Sequence, residues 1–341
     1  MKIIVTIIAT VLVFGIIIFI HELGHFLCAL ATGVKVNEFS LGMGPKVLQK
    51  TYKGIAYSLR AFPIGGYVSM EGEDENSDDQ NAFCNKKVWK RIVVVCAGAF
   101  MNLVLGFIII MAVTSTSELL STTQISYFAD NATSSSLLKL EDEVIRVNGR
   151  KVATVNNIGF ELMKDQDGFV DFEVKRDGKI MELKDVPFKM VEVQDGVEMI
   201  EMDFSVYGKK PTFFGVIKES YYWTIGVIEQ TYVSFIDLLT GRYGLKQLSG
   251  PVGVAEVIGE ATSYGLASIL SMMALLSINI GVFNLLPIPA LDGGRLVFLL
   301  IEGIFRKPVP PKYEGLIHSV GFILLMGLIV LVTFKDIINL F

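Results

Sequence analysis

Two imidazoles four residues apart with a carboxylate beside the first, His21-Glu22-Leu23-Gly24-His25, make the pattern H-E-x-x-H. On a helix, residues i and i+4 share a face, so both rings can hold one zinc ion while Glu22 stands ready to take a proton from water. Zinc in a hydrolase takes three protein ligands as a rule and leaves a position open. The third histidine, His318, begins an apolar stretch where an interfacial histidine is unremarkable. Asp292 is the better third candidate, in Asn284-Leu285-Leu286-Pro287-Ile288-Pro289-Ala290-Leu291-Asp292-Gly293-Gly294-Arg295. The two prolines end a helix and free backbone groups that protein or cavity water must satisfy, and a carboxylate at such a break suits a buried metal site.

The elements that carry these groups read as membrane helices. Of the 341 residues, 52% are hydrophobic and 19% charged, against about a quarter charged in an ordinary soluble domain. A bilayer core about 30 Å thick takes roughly 20 helical residues. Four stretches meet that length: residues 3–20, with apolar character continuing past His25 to residue 31; 92–113; 261–291, interrupted near its end by Asn279, Asn284, Pro287 and Pro289; and 315–334. The first is longer than the apolar segment of a secretory signal and lacks a small-residue cleavage site, so a retained helix is expected. Ionisable groups inside such a span are costly and by default functional. A net charge of −5 excludes the basic face a nucleic-acid binder needs, and three cysteines exclude a disulfide-stapled scaffold.

Lys and Arg mark the cytoplasmic side of short flanks. Lys86, Lys87, Lys90 and Arg91 precede the second span, and Arg295, Arg306, Lys307 and Lys312 lie between the third and fourth. Four crossings then place both termini and the region from 118 to 210 outside the cell membrane. That region is charged and reads as a folded domain. Asn148-Gly149 and Asp177-Gly178 each punctuate a strand, turn, strand pattern. Residues 211–260 mix aromatic residues with isolated charges, as an interfacial amphipathic helix does. The acidic run 71–79 reads as a solvated loop.

The two motifs together resemble the signatures of the site-2 protease family of intramembrane zinc metalloproteases. The resemblance extends to Phe62-Pro63-Ile64-Gly65-Gly66-Tyr67-Val68 and to Ser249-Gly250-Pro251-Val252-Gly253, and it is closest to the bacterial branch with a PDZ domain between spans two and three. It implies a polytopic α-helical membrane protein of about four transmembrane helices, with a re-entrant β-hairpin and one extracytoplasmic PDZ-like α/β domain. The expected organisation is an N-terminal membrane region over residues 1–117, a PDZ-like domain over 118–210, an interfacial segment over 211–260 and a C-terminal membrane region over 261–341. By the same resemblance His21, His25 and Asp292 would ligate Zn2+ and Glu22 would be the catalytic base. Asn279 and Asn284 would hold the substrate backbone, and Gly65 and Gly66 would lie in the hairpin that pairs with it. The PDZ pattern is departed from at Leu140-Glu141-Asp142, where a Gly-Asp pair is usual.

The activity expected is hydrolysis of peptide bonds in the membrane segments of single-span proteins in a bacterial plasma membrane. Substrates of the anti-sigma-factor or remnant-signal-peptide type fit, and nucleic acid does not. Two other classes stand beside it. A metal transporter would need ionisable groups along other spans, and the second has none. A catalytically inactive membrane PDZ scaffold has no use for His21, Glu22, His25 and Asp292 together.

Overall fold

The first helix, α1 (Lys2–Thr32), contains no proline to break it, and its 31 residues rise about 46 Å at 1.5 Å each. It stops at Gly33, whose φ of 75° lets the chain close a Schellman cap: Val34 N–H donates to Ala29 and Gly33 N–H to Leu30. The computed structural model describes residues 2–73, 75–194, 197–241 and 248–339. They fall into two units, Met1–Gly106 with Ser249–Phe341, and Phe107–Leu248.

After α1 come two long strands, β1 (Val36–Tyr52) and β2 (Ile55–Met70). They turn through Lys53 and Gly54 at φ 50° and 81°, the pair of left-handed residues that a two-residue type I′ turn requires. Each strand also bends, so residues 38–41 pair on one side with 66–69 and on the other with 56–59. Residues 66–70 are thereby an outer edge of this sheet. Phe26, Ala29, Val36, Phe39, Val68, Met70, Val94 and Leu299 form one buried core beneath it. The helix α2 (Val88–Ser115) lies against α1 so closely that a Cβ on Gly24 would meet the Ala97 carbonyl.

The second unit is built on the strands β3 (Leu120–Phe128), β4 (Glu143–Val147), β6 (Phe169–Arg176), β7 (Lys179–Pro187) and β10 (Phe204–Lys209), with β5 (Arg150–Lys151) paired to β4. They lie in the order β10-β3-β4-β6-β7. Both predicted hairpins are present. Asn148 and Gly149 have φ 47° and 76°, Asp177 and Gly178 51° and 77°. Phe172, Val144, Val147, Ile125 and Leu162 are fully buried between this sheet and α3 (Val155–Lys164). A separate hairpin joins β8 (Met190–Gln194) to β9 (Val197–Ile200). Asp142 is wholly buried and receives two 2.7 Å hydrogen bonds from Arg176. The helix α4 (Phe213–Leu239) is capped by the Thr212 hydroxyl and packs on α3, where Asn157 donates to the Tyr222 carbonyl. Phe213 and Phe214 at its start stay exposed.

The chain then returns to the first unit. The helix α5 (Pro251–Ser263) begins with Pro251 in its first turn, a position where the missing N–H costs nothing. The helix α6 (Leu266–Leu285) meets α2 through small residues, since Ser277 donates to the Asn102 carbonyl at 2.8 Å and Gly281 abuts the Ala99 carbonyl. It ends before Pro287, as expected of the proline pair. A short turn leads to α7 (Asp292–Phe305), a helix where the sequence predicts only a connection, and then to α8 (Pro311–Asn339). Among the described residues, four helices are long and apolar enough to cross a membrane: Ile3–Thr32, Val88–Ser115, Leu266–Leu285 and Lys312–Ile338. The protein is thus a polytopic helical membrane protein with a β domain inserted between the second and third.

Candidate active site

His21, Glu22 and His25 lie on α1, and the turn after α6 delivers Asp292 to them at the first residue of α7. The two Nε2 atoms are 3.2 Å apart, and Asp292 Oδ2 is 3.2 Å from His21 Nε2 and 3.3 Å from His25 Nε2. Ligands about 2.0–2.1 Å from a tetrahedral zinc stand roughly 3.3–3.4 Å from one another. The triangle has that size.

The protonation pattern agrees. His25 Nδ1 is 2.9 Å from the Val94 carbonyl, which can only accept, so Nδ1 carries the proton and Nε2 turns a lone pair inward. The amide of Asn102 lies 3.3 Å from His21 Nδ1. Its two ends exchange by rotation, and with Oδ1 toward the ring it accepts the Nδ1 proton and leaves Nε2 free in the same way. Asp292 Oδ2 is buried without a hydrogen bond. Three lone-pair atoms converging on one buried point repel one another unless a cation sits among them, and the donor set of two imidazoles and a carboxylate fits zinc.

Glu22 stands beside this triangle. A Cβ on Gly66 would come within 2.9 Å of Glu22 Cγ, so the outer edge of the small sheet packs directly on the Glu22 side chain. A cavity of about 220 Å³ is lined by His21, Glu22, His25, Tyr67, Asp292 and His318 among others. Beside it lies a larger one of about 740 Å³ that shares Glu73, Arg295 and His318. Arg295 hydrogen-bonds Glu73 and lies 3.9 Å from Glu314, so an ion-paired cluster stands between the two spaces. On the sheet, Glu38 accepts from Ser58 at 2.5 Å and from Arg60 at 3.0 Å, with Lys46 3.3 Å away. Burial pushes the Glu38 carboxyl up, but these donors prevail and hold it at about 2. Arg60 also bonds the Tyr67 hydroxyl, which ties the Glu38 cluster to the wall of the cavity.

Of the residues singled out by the sequence, His21, Glu22, His25, Asp292 and Gly66 come together. Gly65, at φ 80°, bends the strand and packs on Met43. Asn279 and Asn284 lie on α6 and are not among the described residues lining the 220 Å³ cavity; Asn284 donates to the Ile280 carbonyl at 2.9 Å. Sequence reasoning does not find Gly98, Asn102, the Val94 carbonyl or the role of His318. Gly98 and Asn102 sit in an uncharged apolar span, where one Gly and one Asn give no signal that they abut His21 and His25.

The chain matches the model of peptidase family M50 over residues 9–328. It is 36% identical to a protein of Clostridium perfringens assigned as a zinc metalloprotease, over 97% of this chain and 98% of that one. It is 29% identical to the "Regulator of sigma-W protease RasP" of Bacillus subtilis, over 98% of this chain and 99% of the relative, and 29% identical to the "Zinc metalloprotease RasP" of Shouchella clausii over 98% and 99%.

Proposed function

The chain belongs to peptidase family M50, the site-2 proteases that cleave in membranes, and is a zinc metalloprotease; from that premise we propose that His21, His25 and Asp292 hold the zinc and that Glu22 is the catalytic base acting on single-span membrane substrates. The observation that carries the reading is the triangle of 3.2, 3.2 and 3.3 Å sides with Glu22 beside it. When bound, zinc supplies Lewis acidity toward water and the scissile carbonyl. Glu22 takes the proton from the attacking water, whose oxygen adds to the carbonyl carbon, and returns a proton to the amide nitrogen as the C–N bond breaks. The two imidazoles keep their inward geometry through the Val94 carbonyl and the Asn102 amide behind them.

A substrate helix has to unwind before its peptide bonds can be reached, and its freed amides then need partners inside the membrane. The edge at residues 66–70 is a surface for such pairing by strand addition, and Gly66 places it against the Glu22 side chain. Gly65 supplies the bend, and Asn279 and Asn284 on α6 are further partners for the substrate backbone. The basic flanks at Lys86 to Arg91 and Arg295 to Lys312 put the hairpin and the 740 Å³ cavity on the cytoplasmic side of a bacterial plasma membrane. Both termini and a PDZ-like domain over 118–210 then face outward, where the domain screens substrates, while 211–260 lies at the interface. Substrates of the anti-sigma-factor type accord with the sigma-W regulation in the name of the Bacillus subtilis relative; remnant signal peptides present the same single-span chemistry.

The test compares zinc content and cleavage of a single-span substrate by wild type, Glu22→Gln and Asp292→Ala in detergent. Glu22→Gln is expected to keep its zinc and lose turnover, and Asp292→Ala to lose both. Normal cleavage by Glu22→Gln, or metal and activity retained in Asp292→Ala, excludes the assignment.

A further inference from the structure

Asp292 is presented by the turn Ile288-Pro289-Ala290-Leu291, which one backbone bond closes, from the Leu291 N–H to the Ile288 carbonyl at 3.2 Å. Ala290, two residues before Asp292, has φ 76°, a left-handed conformation that a residue with a Cβ resists. Its N–H points away from the turn and donates to Nδ1 of His318 on α8 at 2.9 Å. A backbone amide can only donate, so Nδ1 carries the lone pair and the neutral ring has its proton on Nε2. The ring is held from the other side by Phe298 of α7, with centroids 5.8 Å apart. Three residues further along α8, on the same face, Gly321 lies against the turn so tightly that a Cβ there would overlap Pro289 and come within 2.8 Å of its carbonyl oxygen. Below, Gly294 packs equally closely on the Ile288 carbonyl.

We propose that His318 is a positioning residue: its Nδ1 and the neighbouring Gly321 grip the Pro289-Ala290 turn and so fix Asp292 opposite His21 and His25. The inference rests on the reading that these three side chains hold zinc. α8 supplies no metal ligand under this proposal, yet it sets where the third ligand stands. A residue behind a ligand of this kind acts on metal affinity, typically by about 10- to 100-fold.

The experiment measures zinc affinity by chelator competition on the full chain in detergent, for wild type and for three substitutions of His318. His318→Phe keeps a ring against Phe298 and removes the acceptor. In His318→Asn the amide oxygen takes the place of Nδ1, whereas in His318→Gln it takes that of Nε2. Zinc binding about tenfold weaker or worse is expected in His318→Phe, with Asn restoring most of the loss and Gln little of it. The thermal midpoint of the metal-free protein is read alongside, because a merely structural role would move that midpoint and would not rank Asn above Gln. Wild-type affinity in His318→Phe overturns the proposal, and so does Gln binding as well as or better than Asn; the latter comparison decides by itself where the Phe protein does not fold. A wild type that binds no zinc overturns the ligand assignment as well, which separates the two failures.

Discussion

Gly98 of α2 touches the ring of His25 with no room for a side chain: a Cβ at Gly98 would overlap His25 Nε2 and lie 2.8 Å from His21 Nε2. The back wall of the catalytic triangle is therefore a bare backbone. Gly98→Ala is expected to fold, since only one methyl is added, but it must push one imidazole out of line. Overpacking of this sort costs about 1–3 kcal/mol, most of which falls on the metal-competent geometry. Zinc content should drop while the helical circular dichroism of the protein in detergent is unchanged. Full zinc occupancy in Gly98→Ala would show that the rings have slack there.

Asn102 is completely buried, and its amide stands behind His21 as the Val94 carbonyl stands behind His25. Asn102→Ala removes the group that fixes the His21 tautomer, and zinc affinity should fall about 10-fold or more. Asn102→Asp presents only acceptors to the same Nδ1–H and should keep most of that affinity. Chelator competition on the two variants checks the order, and equal affinities would assign the amide to helix packing instead.

How much of this was legible beforehand depends on whether the signal was local. Asn148-Gly149 and Asp177-Gly178 specify their hairpins because both residues of a type I′ turn need positive φ, and both turns have it. Pro287 and Pro289 ended α6 for an equally local reason. His21, Glu22 and His25 were readable because i and i+4 meet within one helix. The doubled pairing of β1 was not, since it depends on bends at Gly42, Gly44 and Gly65 that bring distant segments together. His318 read as an ordinary interfacial residue for the same reason. What makes it belong to the site is a backbone amide 28 residues away, and no spacing rule reaches that far.

Glu141 occupies the position where the sequence departs from a Gly-Asp pair, and its φ of 70° is the conformation glycine adopts without strain. A left-handed residue with a Cβ costs about 1–2 kcal/mol, offset in part by the roughly 0.5–1 kcal/mol of extra freedom a glycine loses on folding. Glu141→Gly should therefore stabilise the neighbouring buried Asp142 and strand β4. Slower hydrogen exchange at the β4 amides, by up to about tenfold, is the expected result. Faster exchange would mean that the Glu141 side chain contributes more than its backbone strain costs.

The depressed carboxyl of Glu38 gives the β1–β2 sheet a defined acid sensitivity. Its pKa falls from 4.5 to about 2 on folding, so the folded state binds the proton less well than the unfolded one. Stability from this group is present above pH 4.5 and is lost as pH falls toward 2. Thermal midpoints of the protein in detergent should decline between these values more steeply in wild type than in Glu38→Gln, which has no proton to take up. Parallel declines would mean that the Ser58, Arg60 and Lys46 contacts hold Glu38 no more tightly when charged than when neutral.

Asp336, near the end of α8 and largely buried, accepts the N–H groups of Gly250 at 2.9 Å and Gly253 at 2.8 Å. It thereby caps the start of α5 from a different helix, which explains the Ser249-Gly250-Pro251-Val252-Gly253 run. Pro251 needs no partner, and a Cβ on Gly250 would come within 2.9 Å of Asp336 Oδ2. Losing such a cap costs about 0.5–2 kcal/mol, and two amides are left without their acceptor when both bonds go. Asp336→Ala should lower the thermal midpoint and speed hydrogen exchange in the first turn of α5, with Asp336→Asn intermediate because its amide oxygen still accepts. Zinc affinity should change far less than in Gly98→Ala, since the cap touches none of the three proposed ligands, His21, His25 and Asp292. An Asp336→Ala protein as stable as wild type would show that water or a neighbouring group takes over the two amides.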